Sequence, residues 1–208
     1  TWDSVSAPLA ETAQVLRIDR PGFGLTSRPL PGAWTGESPY GADAQVAMIV
    51  DLLDELGVAQ AVLVGNSAGG TIAALTAVRH PDRVQALILI DAAIYAGGGA
   101  PPFVRPLLNS PQMRRLGPWI ARSFGDIGLA EAGKPDNIEN WDVAFWELVR
   151  ASSSQDFGDA LGKLTIPVLV VHGAEDRIVP LAQSERLAEE IPQAQLAMLP
   201  ACGHFPQQ

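Results

Sequence analysis

One serine of the sequence lies in a pattern that could make it a nucleophile. Ser67 is the central residue of Gly-Asn-Ser-Ala-Gly at residues 65–69, which fits G-x-S-x-G. That pattern carries a nucleophile where a strand runs directly into it and a helix follows directly, because the serine must project from a strained turn above a sheet. Residues 60–64 form a mostly apolar run, and residues 71–79 are rich in alanine. The local context therefore predicts that Ser67 is a nucleophile.

The residues around Ser67 indicate how such a turn could be built. We expect Gly65 and Gly69 to avoid collisions between side chains across it. The N-terminus of the following helix would place a positive partial charge where negative charge develops in a reaction at a carbonyl. The alternative is a turn that only caps a helix or binds a phosphate, but the sequence lacks the glycine and lysine patterns of phosphate loops. We therefore favour the nucleophile.

A serine hydroxyl needs a neighbouring base to take its proton, and the sequence offers three histidines. His80 follows the helix after Ser67 and would point away from the turn. His172 ends an apolar run, which is typical of a buried structural residue. His204 follows the last predicted strand in a loop that can reach over the sheet edge. The sequence therefore predicts His204 as the base.

The imidazole in turn needs an acid that accepts its second N–H and orients the ring. Asp176 is the predicted acid, because it lies in the loop after an apolar strand and between Ser67 and His204 in the chain. A solvated loop carboxylate without a role is the alternative for any single acidic residue. Three other carboxylates compete for the same role, one beside Asp176 and two farther away: Glu175, Asp91 and Asp159.

Alternating apolar strands and helices would position these side chains. The predicted strands are residues 14–18, 60–64, 85–90, 166–171 and 195–199, and the predicted helices are residues 42–56, 71–79 and 182–190. Mostly apolar strands that alternate with helices indicate an α/β fold with a mostly parallel sheet covered by helices on both faces.

A long stretch in the middle of the chain lacks any strand pattern. It begins with a run of glycine, alanine and proline and continues with helical, aromatic-bearing segments at 113–124 and 138–149. We expect a small helical cap at 96–162, inserted into a discontinuous core of residues 1–95 and 163–208. Four of its residues recur at helical spacing and form a stripe that either packs the cap onto the core, which we favour, or lines an acyl pocket: Trp141, Phe145, Trp146 and Val149.

Composition excludes several classes of partner. The net charge of −9 disfavours nucleic acid, and no apolar run is long enough to span a bilayer. A single cysteine and three scattered histidines predict no metal site and no other cofactor. Cys202 cannot form an intrachain disulfide, and we expect it to be packed without a catalytic role. A small-molecule substrate is the expected partner, while the compartment, with the cytoplasm as default, and the oligomeric state stay undetermined.

Four motifs in this order resemble the α/β-hydrolase superfamily: residues 19–24 with Ser27, residues 65–70, residues 171–180 and residues 203–204. The resemblance is strongest to single-domain esterases, cofactor-free haloperoxidases and carbon–carbon bond hydrolases. It implies catalytic roles for Ser67, Asp176 and His204, in the serine, acid, histidine order of the family. It also implies that the backbone N–H of Ala68 supplies one half of an oxyanion hole. A serine at position 67, where dehalogenases and epoxide hydrolases carry an aspartate, argues against those two classes.

The sequence departs from the family pattern at both ends. In relatives, a His-Gly loop shortly before a position like Trp2 supplies the second oxyanion N–H after two or three edge strands. Relatives also add a closing helix beyond the position of His204. We therefore expect a sequence that is partial at both ends.

The sequence as a whole predicts a serine hydrolase that cleaves a small carboxylic ester or a similar carbonyl compound through an acyl-enzyme. Two further reactions use the same three residues and stay open, namely hydrolysis of a carbon–carbon bond in a vinylogous diketone and perhydrolysis or haloperoxidation. A ligand receptor on the same scaffold is the alternative from a different class.

Overall fold

The structure is a computed structural model that describes residues 2–95, 107, 110–128, 139–152 and 157–208. Contacts between residues divide the chain into two compact units. The first unit comprises Thr1–Val15, Val46–Tyr95 and Asp156–Gln208, and the second comprises Leu16–Gln45 and Ala96–Gln155. The expected boundaries of core and cap stay a prediction, since much of 96–162 lies outside the described residues.

A four-stranded parallel sheet is the centre of the first unit. Its strands lie in chain order, from β1 (Ala61–Asn66) through β2 (Val84–Ile90) and β3 (Val168–Gly173) to β4 (Ala194–Leu199). Each strand pairs in parallel with the next. Because all four run in the same direction, their carboxyl ends share one edge of the sheet. The predicted α/β class with a parallel sheet is confirmed.

The described residues form six α-helices: α1 (Asp3–Ala10), α2 (Ala42–Glu55), α3 (Ala68–Arg79), α4 (Pro111–Gly128), α5 (Trp141–Ser152) and α6 (Leu181–Glu190). Two short 3₁₀ turns at Pro81–Arg83 and Gly158–Lys163 precede β2 and β3. None of the helices in the described part of the chain combines the length and apolar character needed to cross a bilayer.

The core of the first unit lies between the sheet and the helices that pack on it. Helix α3 contacts β1 and β2, and α6 contacts β3 and β4. Leu89, Val170 and Leu187 are fully buried there. Burial of an aliphatic side chain of this size contributes about 1.5 to 3 kcal/mol to stability. These contacts hold the carboxyl ends of the strands in a fixed relation.

The second unit is held together by aromatic side chains. Tyr40 is fully buried with Ala144 and Leu148, and its ring meets Trp34 edge to face at 5.9 Å. Helices α4 and α5 pack against each other. They approach closely at Gly117, where a Cβ atom would lie 1.9 Å from the indole of Trp146. Of the predicted aromatic stripe on α5, Trp146 thus packs against α4.

One expected strand at the N-terminal end of the chain is absent, and one helix there has no counterpart in the sequence predictions. Residues 14–18 form no strand, and Val15, Leu16 and Ile18 are between 38% and 54% exposed. A strand exists through its hydrogen-bonded partner, and none of the described residues pairs with this apolar run. Conversely, α1 was not predicted, because Pro8 inside it disfavours a helix and the segment buries no residue that would produce an amphipathic pattern.

Candidate active site

Ser67 forms the turn between β1 and α3. Its backbone has φ 53° and ψ −124°, a conformation that residues with a side chain adopt at a cost. The Ser67 N–H donates to the carbonyl of Ile90 at 2.9 Å, and the Ser67 carbonyl accepts from Gly70 N–H at 3.0 Å and Thr71 N–H at 3.3 Å. These bonds to β2 and α3 hold the strained turn that the G-x-S-x-G pattern requires.

Close backbone contacts explain two glycines of this turn and leave a third unexplained. A Cβ atom at Gly65 would lie 2.5 Å from the carbonyl carbon and oxygen of Gly69, and one at Gly70 would lie 2.6 Å from the Cβ of Ala92. The expectation for Gly69 is wrong, because a Cβ there would meet nothing within 4 Å. Gly69 is the second residue of α3, and a side chain there would face open space. Its backbone, however, lies against Gly65.

The loop that carries His204 lies against the end of β3. A Cβ atom at Gly173 would lie 2.2 Å from the Gly203 carbonyl oxygen, so the two backbones are in contact. Glu175 N–H donates to the Cys202 carbonyl at 2.8 Å. The His204 carbonyl accepts a hydrogen bond from Asn66 Nδ2 at 3.0 Å. Since Asn66 directly precedes Ser67, this bond brings the backbone of His204 to the turn.

His204 and Asp176 form a short hydrogen bond between side chains. The distance from His204 Nδ1 to Asp176 Oδ2 is 2.8 Å, and the two side chains are 6% and 0% exposed. Because Nδ1 faces the carboxylate, the neutral ring carries its proton on Nδ1 and keeps the lone pair on Nε2. That tautomer is the one a general base needs.

Backbone N–H groups hold the carboxylate of Asp176. Asp176 Oδ1 accepts from Ile178 N–H at 2.7 Å and from Val179 N–H at 3.1 Å. Burial by itself would raise the pKa of Asp176, but the hydrogen bonds from His204 and from these two N–H groups outweigh it and hold the pKa below its usual range. Asp176 is therefore an anion with a fixed direction.

The other candidate acids differ in where they lie. Glu175 and Asp159 are exposed. Asp91, a remote rival for the role of the acid, is fully buried directly after β2. One oxygen of its carboxyl, one of Asp176 and a ring nitrogen of His204 all lie within 4.8 Å of one another. Asp176 is the one of these acids with a direct hydrogen bond to His204.

The other two histidines, His80 and His172, make different contacts. His80 caps the C-terminal end of α3 through its backbone. His172 is 1% exposed, and its Nδ1 lies 2.9 Å from Ser184 Oγ and 3.1 Å from Asp91 Oδ1. His172 is thus a buried side chain with partners inside the core, as expected.

Sequence reasoning missed Asn66 in this region, and it named Asp91 only as a remote rival of Asp176. The variable position before the serine gives no signal for Asn66, whose partner is 138 residues away in the chain. A carboxylate directly after the apolar run 86–90 is the available signal for Asp91.

One group among the described residues has side chains of the types that bind a metal ion, namely Asp91, Asp176 and His204. Asp176 already accepts hydrogen bonds on both oxygens, from His204 on one and from backbone N–H groups on the other.

Ala68 is the first residue of α3, so its N–H has no acceptor within the helix and lies beside Ser67. The arrangement suits proton transfer and the stabilisation of negative charge.

Residues 1–208 match the family model described as "Alpha/beta hydrolase family". A 2-hydroxymuconate semialdehyde hydrolase from Pseudomonas sp. (strain CF600) is 34% identical over 220 residues, covering 99% of this chain and 75% of the relative. A solved meta-cleavage product hydrolase from Pseudomonas fluorescens IP01 is similar with a TM-score of 0.71 and 28% identity, covering 99% of this chain and 78% of that one. A solved thermophilic esterase from Thermogutta terrifontis is similar with a TM-score of 0.76 and 26% identity, at the same two coverages.

Proposed function

The chain belongs to the α/β-hydrolase family and is a hydrolase, and we propose that Ser67, His204 and Asp176 are its nucleophile, base and orienting acid. The observation that carries the proposal is the 2.8 Å hydrogen bond from His204 to Asp176, in a loop that Asn66 ties to the turn of Ser67. The relatives are named as hydrolases, so the expectation of an enzyme rather than a ligand receptor is confirmed.

In the proposed mechanism, His204 Nε2 takes the proton of Ser67 while the serine oxygen attacks a carbonyl carbon of the substrate. The resulting oxyanion accepts a hydrogen bond from Ala68 N–H, at the positive end of α3. His204 then gives its proton to the leaving group as the tetrahedral intermediate collapses to an acyl-enzyme. Water attacks the acyl group by the same proton transfers and frees Ser67.

The anionic carboxylate of Asp176 supports each proton transfer. Whenever His204 carries two protons, the adjacent negative charge stabilises the imidazolium. Positioned proton transfer of this kind contributes typically about 10² to 10⁴ in rate. The three hydrogen bonds that Asp176 accepts keep it ionised and fix its direction, so little reorganisation is needed during the reaction.

For the substrate, we propose a 2-hydroxy-6-oxo dienoate, cleaved at the carbon–carbon bond beside the 6-oxo group. The support is the 34% identity, over nearly the whole chain, to a hydrolase named for 2-hydroxymuconate semialdehyde. Cleavage first needs the dienol to become its keto tautomer, in which the proton of the 2-hydroxyl moves to the carbon next to the 6-oxo group. Ser67 then attacks the 6-oxo carbon, the bond to that carbon breaks, and the released electron pair is conjugated with the remaining C=C bond and the 2-oxo group as a dienolate. His204 gives its proton to the dienolate oxygen, and water then supplies a hydroxyl to the acyl carbon and returns the proton of Ser67.

A small carboxylic ester is the second candidate substrate. It is favoured by the structural similarity to a thermophilic esterase, with a TM-score of 0.76 and 26% identity. An alkoxide leaves more readily than a carbanion, so the same three residues suffice for an ester without conjugation in the substrate.

The experiment combines labelling with turnover in the full-length protein. A fluorophosphonate probe is expected to modify Ser67, as located by peptide mass spectrometry, and Ser67→Ala should abolish both labelling and hydrolysis. The exposed Ser4 offers a matched control, since Ser4→Ala removes a serine hydroxyl whose hydrogen-bond partner is the carbonyl of Gln208. Full hydrolysis by Ser67→Ala would refute the assignment of the nucleophile.

The same preparation decides between the two substrate classes. We expect kcat/KM on a 2-hydroxy-6-oxo dienoate to exceed that on p-nitrophenyl acetate. The reverse order, with both activities lost in Ser67→Ala, would leave the three residues in place and identify an esterase instead.

A further inference from the structure

Asp91 is a second carboxylate beside Asp176 that the proposed mechanism does not use. It directly follows β2, is 0% exposed and has a backbone φ of 44°, in the left-handed region that residues other than glycine seldom adopt. Its N–H donates to the Val171 carbonyl at 2.9 Å. The chain thus holds a charged residue type in a strained backbone position inside the core.

The two oxygens of the Asp91 carboxyl have different surroundings. Oδ1 accepts from Gly173 N–H at 3.0 Å and faces His172 Nδ1 at 3.1 Å. Oδ2 is buried and has no hydrogen-bond partner among the described residues. A buried carboxylate oxygen without a donor is unfavourable. A proton on Oδ2 removes this problem, because it turns an acceptor without a donor into a donor.

The acceptor for such a proton is close by. Oxygens of Asp91 and Asp176 lie within 4.8 Å of each other, as does a ring nitrogen of His204. Two carboxylates this close and this buried do not both keep a charge. The described titratable groups that face Asp91 are Asp176, His204 and His172, and the last of these also contacts Ser184 on α6.

Hydrogen bonds decide which of the two carboxyls carries the charge. Burial raises the pKa of Asp91, the hydrogen bond from Gly173 N–H lowers it, and the negative charge of Asp176 raises it further, with a raised pKa as the net result. The pKa of Asp176 is lowered. Asp176 has donors on both oxygens, whereas Asp91 has one backbone donor on a single oxygen.

We propose that Asp91 is a protonated carboxylic acid whose Oδ2–H donates to the carboxylate of Asp176, so that the pair carries one negative charge and Asp176 is directed toward His204. Asp91 is then a positioning residue that acts through Asp176. Its effect on catalysis rests on the proposed function, whereas its protonation in the folded protein does not.

The proton has a consequence for folding that can be measured without a substrate. In the unfolded chain an aspartate ionises near its ordinary pKa of about 3.9. Between that value and the raised pKa in the folded protein, the folded state holds one proton more than the unfolded state. Stability is therefore lost as pH rises through this window, and the unfolding constant grows about tenfold per pH unit from this group alone. The pKa of Asp176 is shifted in the opposite direction. Its contribution to stability therefore stops changing with pH above about pH 5.

Asp91→Asn is the decisive variant, because its amide has nearly the same shape, donates N–H toward Asp176 and cannot ionise. Above about pH 5, we expect the unfolding constant of the wild-type full-length protein to rise with pH more steeply than that of Asp91→Asn, by close to tenfold per unit. The exposed Asp159 provides the control, since Asp159→Asn should keep the wild-type slope. Equal slopes for the wild type and Asp91→Asn would overturn the proposal.

Infrared spectroscopy of the wild type gives a second measurement that does not depend on the folding of a variant. A carboxylic acid C=O band is expected at neutral pH, with a shift in D₂O and with loss in Asp91→Asn. Absence of any such band in the wild type would show that Asp91 is ionised.

Kinetics test the positioning role separately. Asp91→Ala should lower kcat and leave KM little changed, and Asp91→Asn should restore most of that kcat, since it again donates to Asp176. A merely structural role would show the same loss in both variants. If Ser67 is not labelled by the fluorophosphonate, the proposed function fails, while the pH slope and the infrared band still decide whether Asp91 holds the proton.

Discussion

The carboxyl edge of the sheet and the helical second unit are held by different kinds of contact. At the edge, backbone hydrogen bonds and close backbone approaches position Ser67 and the loops of Asp176 and His204. In the second unit, aromatic side chains such as Tyr40 and Trp146 fill the space between elements. Backbone contacts tolerate little change of side chain, whereas packed side chains can be exchanged for others of similar volume. The difference implies that side chains around the candidate site are constrained by nearby backbone, whereas packed side chains of the second unit can be exchanged.

Removal of the base is expected to have the largest effect. His204→Ala should lower kcat by a factor on the order of 10⁶, because the loss of the base disables the catalytic group as a unit. Steady-state and single-turnover kinetics on either candidate substrate measure this. His80→Ala removes an imidazole at the end of α3 and should keep the wild-type rate, and a comparable loss there would contradict the assignment.

A change of the orienting acid should cost less. Asp176→Asn keeps the shape but presents an amide to His204 Nδ1 and favours the wrong tautomer, for a loss of about 10⁴ in kcat. KM should change little, which separates this effect from a general loss of folding. Glu175→Gln is the matched control on the neighbouring, exposed residue, and equal losses in the two variants would make Asp176 an ordinary loop acid.

Gly65→Ala tests whether backbone contacts constrain the turn of Ser67. Its new methyl would collide with the backbone of Gly69, so we expect a loss of about 1 to 3 kcal/mol in the free energy of unfolding, together with a lower kcat. Gly69→Ala faces open space on a helix and should be neutral or stabilising by up to about 1 kcal/mol. Chemical denaturation of both variants measures the contrast, which disappears if the turn is flexible.

Gly117→Ala makes the corresponding change in the second unit. Its methyl would meet the ring of Trp146, and a side chain can shift where a backbone cannot. We expect a loss of stability at the lower end of about 1 to 3 kcal/mol, with kcat per folded molecule unchanged. Thermal unfolding and active-site titration together test this, and a loss of kcat as large as in Gly65→Ala would show that the two units are not constrained differently.

Most of the sheet and its helices could be predicted because their signals are local. Apolar runs predicted the four strands to within two residues at each end, and apolar periodicity predicted α2, α3 and α6 closely. The same rule failed for residues 14–18, since an apolar run does not reveal whether a partner strand is present. It also missed α1, which buries none of its residues.

The candidate site shows the same division between local and distant information. The motif around Ser67 is contiguous, and the choice of Asp176 and His204 followed from their places after strands. Asn66 was not recognised and Asp91 was ranked as a remote rival acid, because their partners His204 and Gly173 are 138 and 82 residues away in the chain. Gly69 was given a steric role that belongs to Gly65, since the direction of a Cβ atom is a property of the folded backbone.

By itself the sequence determined the parallel α/β architecture, the strained turn at Ser67 and the chain order of the three residues proposed to act together, because strand periodicity and turn chemistry depend on neighbours in the chain. Tertiary structure alone decided that Asp91 lies buried beside Asp176 and His204. The reason is physical: burial and the distance between charges arise only when separate strands end at the same edge, and these two quantities set which carboxyl is ionised.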